Sequence, residues 1–146
     1  MAVVITKGLT ETATAIKTIA VKLDAAAKVI VTQSAALIEA EAKKNFVGSH
    51  KKGAPHVGGD RPNVVTGNLR RSITHDPVTR DGIGAWRTAV GPTAVYGRRV
   101  ELGYTGGGSG RGHQATRPFP FLKPAVDGAE MQLTAIGLAG WARVLG

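Results

Sequence analysis

Cysteine is absent from this chain. Thiolate catalysis, cysteine-type zinc sites and a disulfide framework are therefore excluded, and the composition fits synthesis in a reducing cytoplasm. Aromatic residues make up only 5% of the 146 positions. Single-strand nucleic-acid binders pair basic grooves with stacking platforms, so that scarcity counts against such a module. No uncharged apolar stretch approaches the roughly 18–20 residues that span a bilayer. The opening Met-Ala-Val-Val-Ile-Thr-Lys lacks the layout of a secretory signal, and no membrane partner is expected. Acids are also few, 10 against 19 lysines and arginines, for a formal net charge of +9. That balance points to an anionic partner, either nucleic acid or an acidic protein face.

Catalytic and cofactor chemistry finds little support. His50, His56, His75 and His113 are not spaced to place two metal ligands on one helical turn. Ser72 and Ser109 lack an evident base, and the acids form no carboxylate pair of the glycosidase kind. The run Gly110-Arg-Gly-His-Gln-Ala115 fits a relaxed dinucleotide pattern, but Arg117-Pro-Phe-Pro follows it where a helix is required. Neither a cofactor nor a catalytic residue is expected.

What is present organises the chain as one domain. After an N-terminal arm, 1–9, residues 10–46 contain neither glycine nor proline and are rich in alanine. Apolar residues at 16, 19, 23, 26, 30, 37 and 40 share one helical face, which predicts a long helix ending before Gly48. Its thin stripe needs a second surface, either the domain's own sheet or a neighbouring copy. A coiled coil is the competing arrangement, with Gln33 interrupting its seam.

Residues 48–65 read as a basic loop carrying Lys51, Lys52 and Arg61. Within the sheet region, 66–103, Asp81-Gly82 predicts a two-residue hairpin turn between arms 72–80 and 83–90. Trp86, Thr88 and Val90 then face one way and Arg87 the other. Residues 95–103 fit either a strand or a short helix closed by Gly103. A glycine-rich loop, 104–116, precedes a second helix, 121–145, with its stripe at Leu122, Val126, Ala129, Leu133 and Ile136. Gly128, Gly137 and Gly140 weaken that helix and hint at close approach of another backbone. The fold class is α+β, a long N-terminal and a shorter C-terminal helix on a small antiparallel sheet.

Three phrases concentrate the remaining information: Thr66-Gly-Asn-Leu-Arg-Arg-Ser-Ile73, Val95-Tyr-Gly-Arg-Arg-Val-Glu-Leu-Gly103 and Arg117-Pro-Phe-Pro-Phe-Leu-Lys-Pro-Ala-Val126. Each joins glycine or proline to apolar anchors and a cation, the chemistry of a shaped docking surface. Arginine suits planar pairing with carboxylates, so Arg70, Arg71, Arg98 and Arg99 are candidate interface residues. Glu101 is the candidate acidic half of a contact between subunits. Lys51, Lys52, Arg61 and Tyr104 join this set. Phe119 and Phe121, held on a stiff proline-flanked segment, fill either the domain's own core or a neighbour's groove.

In this order and spacing the phrases resemble those of the neck and tail-completion proteins of long-tailed bacteriophages. Those proteins carry a TG-x-L-R-x-S-I phrase, then V-G-P with Y-x-x-x-V-E-x-G, then P-F-L-x-P-A. The resemblance spans essentially the whole chain. Family members often have alanine where Gly97 stands, and a short loop where this chain has its glycine-rich one. The resemblance implies a homo-oligomeric ring, with six the expected number, at the head–tail junction of the virion. Assembly would take place in the host cytoplasm. Its neighbours would be connector or head-closure proteins and tail-terminator or tail-tube proteins, with passing contact to genomic DNA. A tail terminator capping the tube is the alternative within the same class. A basic nucleic-acid-binding module is the alternative from another, and an enzyme of unknown type is the weakest.

Overall fold

A computed structural model describes residues 3–56, 59–105 and 116–145, with backbone only for 3–7. Helix α1 runs over Val3–Lys44. It starts earlier than expected and takes in residues 3–9 of the expected arm. Propagating an established helix adds one hydrogen bond per residue, which outweighs the penalty of about 1 kcal/mol at Gly8. Along the exposed surface Thr12, Thr14, Thr18 and Thr32 each donate their hydroxyl to the carbonyl four residues back. The helix stops two residues before the expected end. Asn45 is buried there, and its side-chain amide donates to the Phe121 carbonyl at 2.8 Å. Gly48 has a left-handed φ of 71°, as its position suggested, but beyond the helix rather than as its cap.

Within residues 95–103, open between strand and helix, Gly97–Leu102 form a short helix. The order after α1 is α2 (Asn68–Ser72), β1 (Ile73–His75), β2 (Thr79–Arg80), β3 (Trp86–Arg87), β4 (Val90–Pro92), α3 (Gly97–Leu102) and α4 (Leu122–Leu145). Strands β1 and β4 pair antiparallel, with Thr74 opposite Gly91, and β2 pairs with β3, with Arg80 opposite Trp86. Between the two ladders the register slips by one residue. Asp76, Pro77 and Val78 lie opposite only Thr88 and Ala89, and Pro77 has no N–H to give a ladder. The expected two-residue turn is instead a five-residue loop, 81–85, closed by the Asp81 N–H on the Ala85 carbonyl. Trp86, Thr88 and Val90 are indeed the half-buried positions of the returning arm, and Arg87 is exposed.

Helix α4 runs antiparallel to α1. Its start meets Ala42 and Asn45, while a Cβ at Gly140 would stand 2.4 Å from the Ile30 side chain. The inward face of α4 keeps four of the five expected positions, Leu122, Ala129, Leu133 and Ile136, but at its start Ala125 is buried where Val126 was expected, and Val126 is exposed. On α1 the buried positions are Ala35 and Ala42, while Ile16 and Ile19 at the head of the expected stripe are exposed. The core is small. Phe121 and Ile73 are its largest fully buried side chains, joined by Ala42 and Ala125 and flanked by Phe46, Leu69, Val100 and Leu122. At 1.5 Å per residue α4 spans about 36 Å and α1 about 63 Å. The first 18 or so residues of α1 therefore project past the end of α4, and every one described from 8 to 22 is exposed.

His113, Ser109 and the Gly110–Ala115 pattern lie outside the described residues. The glycine-rich loop is closed at its base by an antiparallel bridge between Tyr104 and Thr116.

Gly140 is a true contact glycine, whereas a Cβ at Gly137 would meet nothing within 4 Å. Replacing Gly140 by valine is expected to destabilise the fold by about 1–3 kcal/mol through overpacking. Gly137→Ala should be neutral or gain up to about 1 kcal/mol from helix propensity. Urea unfolding of the two variants checks the contrast, and equal effects would place the α1–α4 contact elsewhere.

Candidate subunit interface

Each of the three phrases contributes apolar anchors to one place, the core at the C-terminal end of α1. Leu69 and Ile73 come from the first, Val100 from the second, and Phe121, Leu122 and Ala125 from the third. Gly67, with φ 74°, turns the chain into α2. Gly97 lets α3 begin directly against β4, since a Cβ there would stand 2.4 Å from Pro92 Cγ. Alanine does not fit this geometry. The second and third phrases are stitched together by the Phe119 N–H on the Val100 carbonyl at 2.7 Å.

Glu101, expected at a contact between subunits, has an intramolecular task. Its carboxylate accepts hydrogen bonds from the N–H groups of Phe121, Leu122 and Lys123 at 2.7, 3.0 and 2.9 Å. These are orphan donors at the N-terminus of α4, where the helix dipole also favours negative charge. Phe121 is likewise corrected as a partner-facing residue: it is fully buried, with its ring 5.2 Å from that of Phe46. Phe119 is half-buried under the His56 ring at 4.2 Å, where Arg117 also stacks on it. Arg71 is turned back on its own phrase, donating to the Thr66 carbonyl and to Asn68 Oδ1.

What remains outward is cationic and apolar. Arg70 and Arg98 are exposed and have no hydrogen bond or ion pair among the described residues, and Arg99 lies over the Tyr104 ring at 4.8 Å. Val95 and Leu102 flank Arg98 on the outer side of α3, both strongly exposed. The basic loop is tied shut at its base by a bridge between Ser49 and Val64. It carries Lys51, Lys52 and Arg61 on its surface, and Asp60 is held by Arg117 at 3.3 Å. Between this loop and the first two phrases lies a cleft of about 280 Å³, lined by Phe46, His56, Arg70, Tyr96 and Phe119 among others. The structure thus brings Arg70 beside the basic loop and Arg99 onto Tyr104, and sets Arg98 in a second surface depression with Val95 and Leu102.

Two polar clusters farther along α1 hold the hairpin in place. Asp24 accepts from Arg80 at 2.6 Å and from the Trp86 indole at 3.1 Å, and Lys28 and Arg80 both stack on the Trp86 ring. Glu39 bonds to Lys43 and lies 2.6 Å from His75 Nδ1. The Lys43 hydrogen bond first, and that of His75 second, hold its carboxyl below the ordinary 4.5. Among the described residues no cluster of histidines and acids is arranged to hold a metal ion, and no helix is long and apolar enough to cross a membrane.

Compared with known proteins, residues 10–103 match the HK97-gp10-like family model, described as "Bacteriophage HK97-gp10, putative tail-component". The match covers nearly two thirds of the chain and contains the first two phrases. No curated protein and no solved structure matches the chain.

Truncating Glu101 to alanine leaves three helix-start donors without their charged acceptor. It is expected to lower stability by about 1–3 kcal/mol, read by thermal or urea unfolding, whereas an unchanged midpoint would contradict the cap. The depressed Glu39 pKa contributes stability that is present above 4.5 and is lost as the pH falls through the lower folded value. Glu39→Gln should accordingly flatten the acid limb of stability below about pH 4.5 and lower stability at neutral pH by no more than about 1 kcal/mol, the side chains being partly exposed. A variant that keeps the wild-type acid limb would contradict this.

Proposed function

The chain belongs to the HK97-gp10-like family of bacteriophage tail components, and on that premise we propose that it is a ring-forming subunit at the head–tail junction, a neck or tail-completion protein that helps join the filled capsid to the tail. The observation that carries this reading is surface left uncovered. The chain exposes 10401 Å², against about 7,100 Å² for a compact monomer of 15.1 kDa. Leu9, Ile16, Val21, Val95, Leu102, Met131, Leu138 and Leu145 all contribute to it. An excess on the order of 3,000 Å² is the scale that obligate assemblies bury.

In this reading Arg70, Arg98 and Arg99 with Tyr104, together with Lys51, Lys52 and Arg61, meet acidic faces of the neighbouring subunit or of the next ring. A ring needs unlike faces joined in sequence around a closed rotation, and six copies is the number proposed. The net charge of +9 suits a channel through which DNA passes. Catalysis forms no part of the role.

Electron microscopy of the purified protein, and of phage particles made without it, tests the proposal. Closed rings in the first sample, and filled heads separate from finished tails in the second, are expected. Joined particles with overlong tails would support the tail-terminator role instead. Monomers together with normally joined particles would overturn both.

A further inference from the structure

Helix α4 is apolar on two opposite faces. The inner one, with Ala125, Ala129, Leu133, Ile136 and Gly140, is buried or half-buried toward the body of the protomer. The outer one carries Gly128, Met131, Ala135, Leu138, Ala142 and Leu145 at alternating steps of three and four, and all six are exposed. Met131 is 85% exposed, Leu138 67% and Leu145 70%. An apolar stripe on a helix is ordinarily the face it buries, and this second stripe is left uncovered within its own protomer.

The projecting part of α1 shows the same pattern. Leu9, Ala13, Ile16 and Ala20 follow one another at steps of four and three, all exposed. Carried further, that line runs through Leu23 and Ala27 to Ile30, the residue that lies against Gly140 within the protomer. The exposed seam on the arm is therefore the uncovered continuation of a seam that already receives α4. In both stripes a small residue alternates with a large one, so each large side chain of one has a small position opposite it, as knobs-into-holes packing requires.

We infer that the outer face of α4 receives the projecting arm of α1 from a second copy of this chain. The inference rests on the ring reading above and names the contact that would build it. Continuity argues for a second copy as the occupant: the arm's seam is of the kind that already fits an α4. Charge agrees, since Lys17 flanks the arm's seam and Glu130 flanks that of α4. Both lack an ion pair among the described residues. The arm seam spans about 17 Å and the α4 seam about 26 Å, so the shorter is covered along its whole length. The arm and the outer face of α4 are different surfaces of one protomer, so a copy that gives its arm to one neighbour still offers its α4 to another, and the contact builds a ring where the rotation between copies closes.

The chain's lack of cysteine makes the test clean. Ile16→Cys protein is mixed with Met131→Cys, Leu138→Cys or Leu145→Cys protein and mildly oxidised. Three partners remove any dependence on one register. The contact predicts a mixed disulfide dimer with at least one partner. It also predicts that Ile16→Asp or Leu138→Asp shifts the native mass of the oligomer to that of a monomer while the circular dichroism stays helical. Disulfides in Ile16→Cys alone, without any mixed product, would mean arms pairing with arms and overturn the inference. An oligomer whose mass survives both aspartates without mixed disulfides would overturn the contact and leave the ring reading standing. A wild-type protein monomeric at all concentrations would overturn both.

Discussion

The three hydrogen bonds that Glu101 accepts at the start of α4 are the joint on which the rest of this structure depends. They fix where the last helix begins, and so put Phe121 into the core with Ala42, Ile73 and Ala125. Once Phe121 is seated, its carbonyl takes the Asn45 amide and α1 must end there. One carboxylate therefore sets the end of the first helix, the start of the last and the attachment of α3 between them. The joint is also economical in apolar material, because directional bonds define what a core of few large side chains would leave loose.

Everything distal to that joint is a lever. From it α1 and α4 run outward side by side, pinned at Gly140 against Ile30 and braced by the Asp24–Arg80–Trp86 cluster on the hairpin. Then α4 ends, and α1 continues alone for about 18 residues. An isolated helix of that length is marginal in water, and one bearing a regular apolar seam gains most of its stability from a partner. The fold thus delivers a stiff apolar arm on one side and a matching stripe on another, and a neighbouring copy satisfies both. The cationic end, with Arg70, Arg98 and Arg99, is separate from this pair of seams and remains available to a different surface.

The α+β class, the long helix, the closing helix and the alternation of Trp86, Thr88 and Val90 were legible because periodicity is local. Glu101 was not legible as a cap, because the donors it serves lie twenty residues on, and nothing in its own phrase distinguishes a surface acid from a buried acceptor. Asp81-Gly82 misled for a related reason: Pro77 forces a slip in the ladder, and the turn widens to restore the pairing. The α4 stripe was legible at Leu122, Ala129, Leu133 and Ile136 and missed only at Val126, because the helix carries a second apolar face and periodicity reports the sum of the two. Sequence treats Arg70, Arg71, Arg98 and Arg99 alike, and only the fold separates Arg71, turned back on Thr66, from its exposed neighbour Arg70. The three phrases read as docking surface proved to be core-forming in part of their apolar anchors, while their remaining arginines, Val95 and Leu102 face outward.

Hydrogen–deuterium exchange followed residue by residue, on the assembled protein and again after dilution to free protomers, tests the central claim most directly. That claim is that α1 is completed only by a neighbour. The account predicts that amides 9–20 are protected in the assembly and exchange rapidly in the free protomer, while those around Ala35–Ala42 stay protected in both. Rapid exchange over 9–20 in the assembled protein would contradict it.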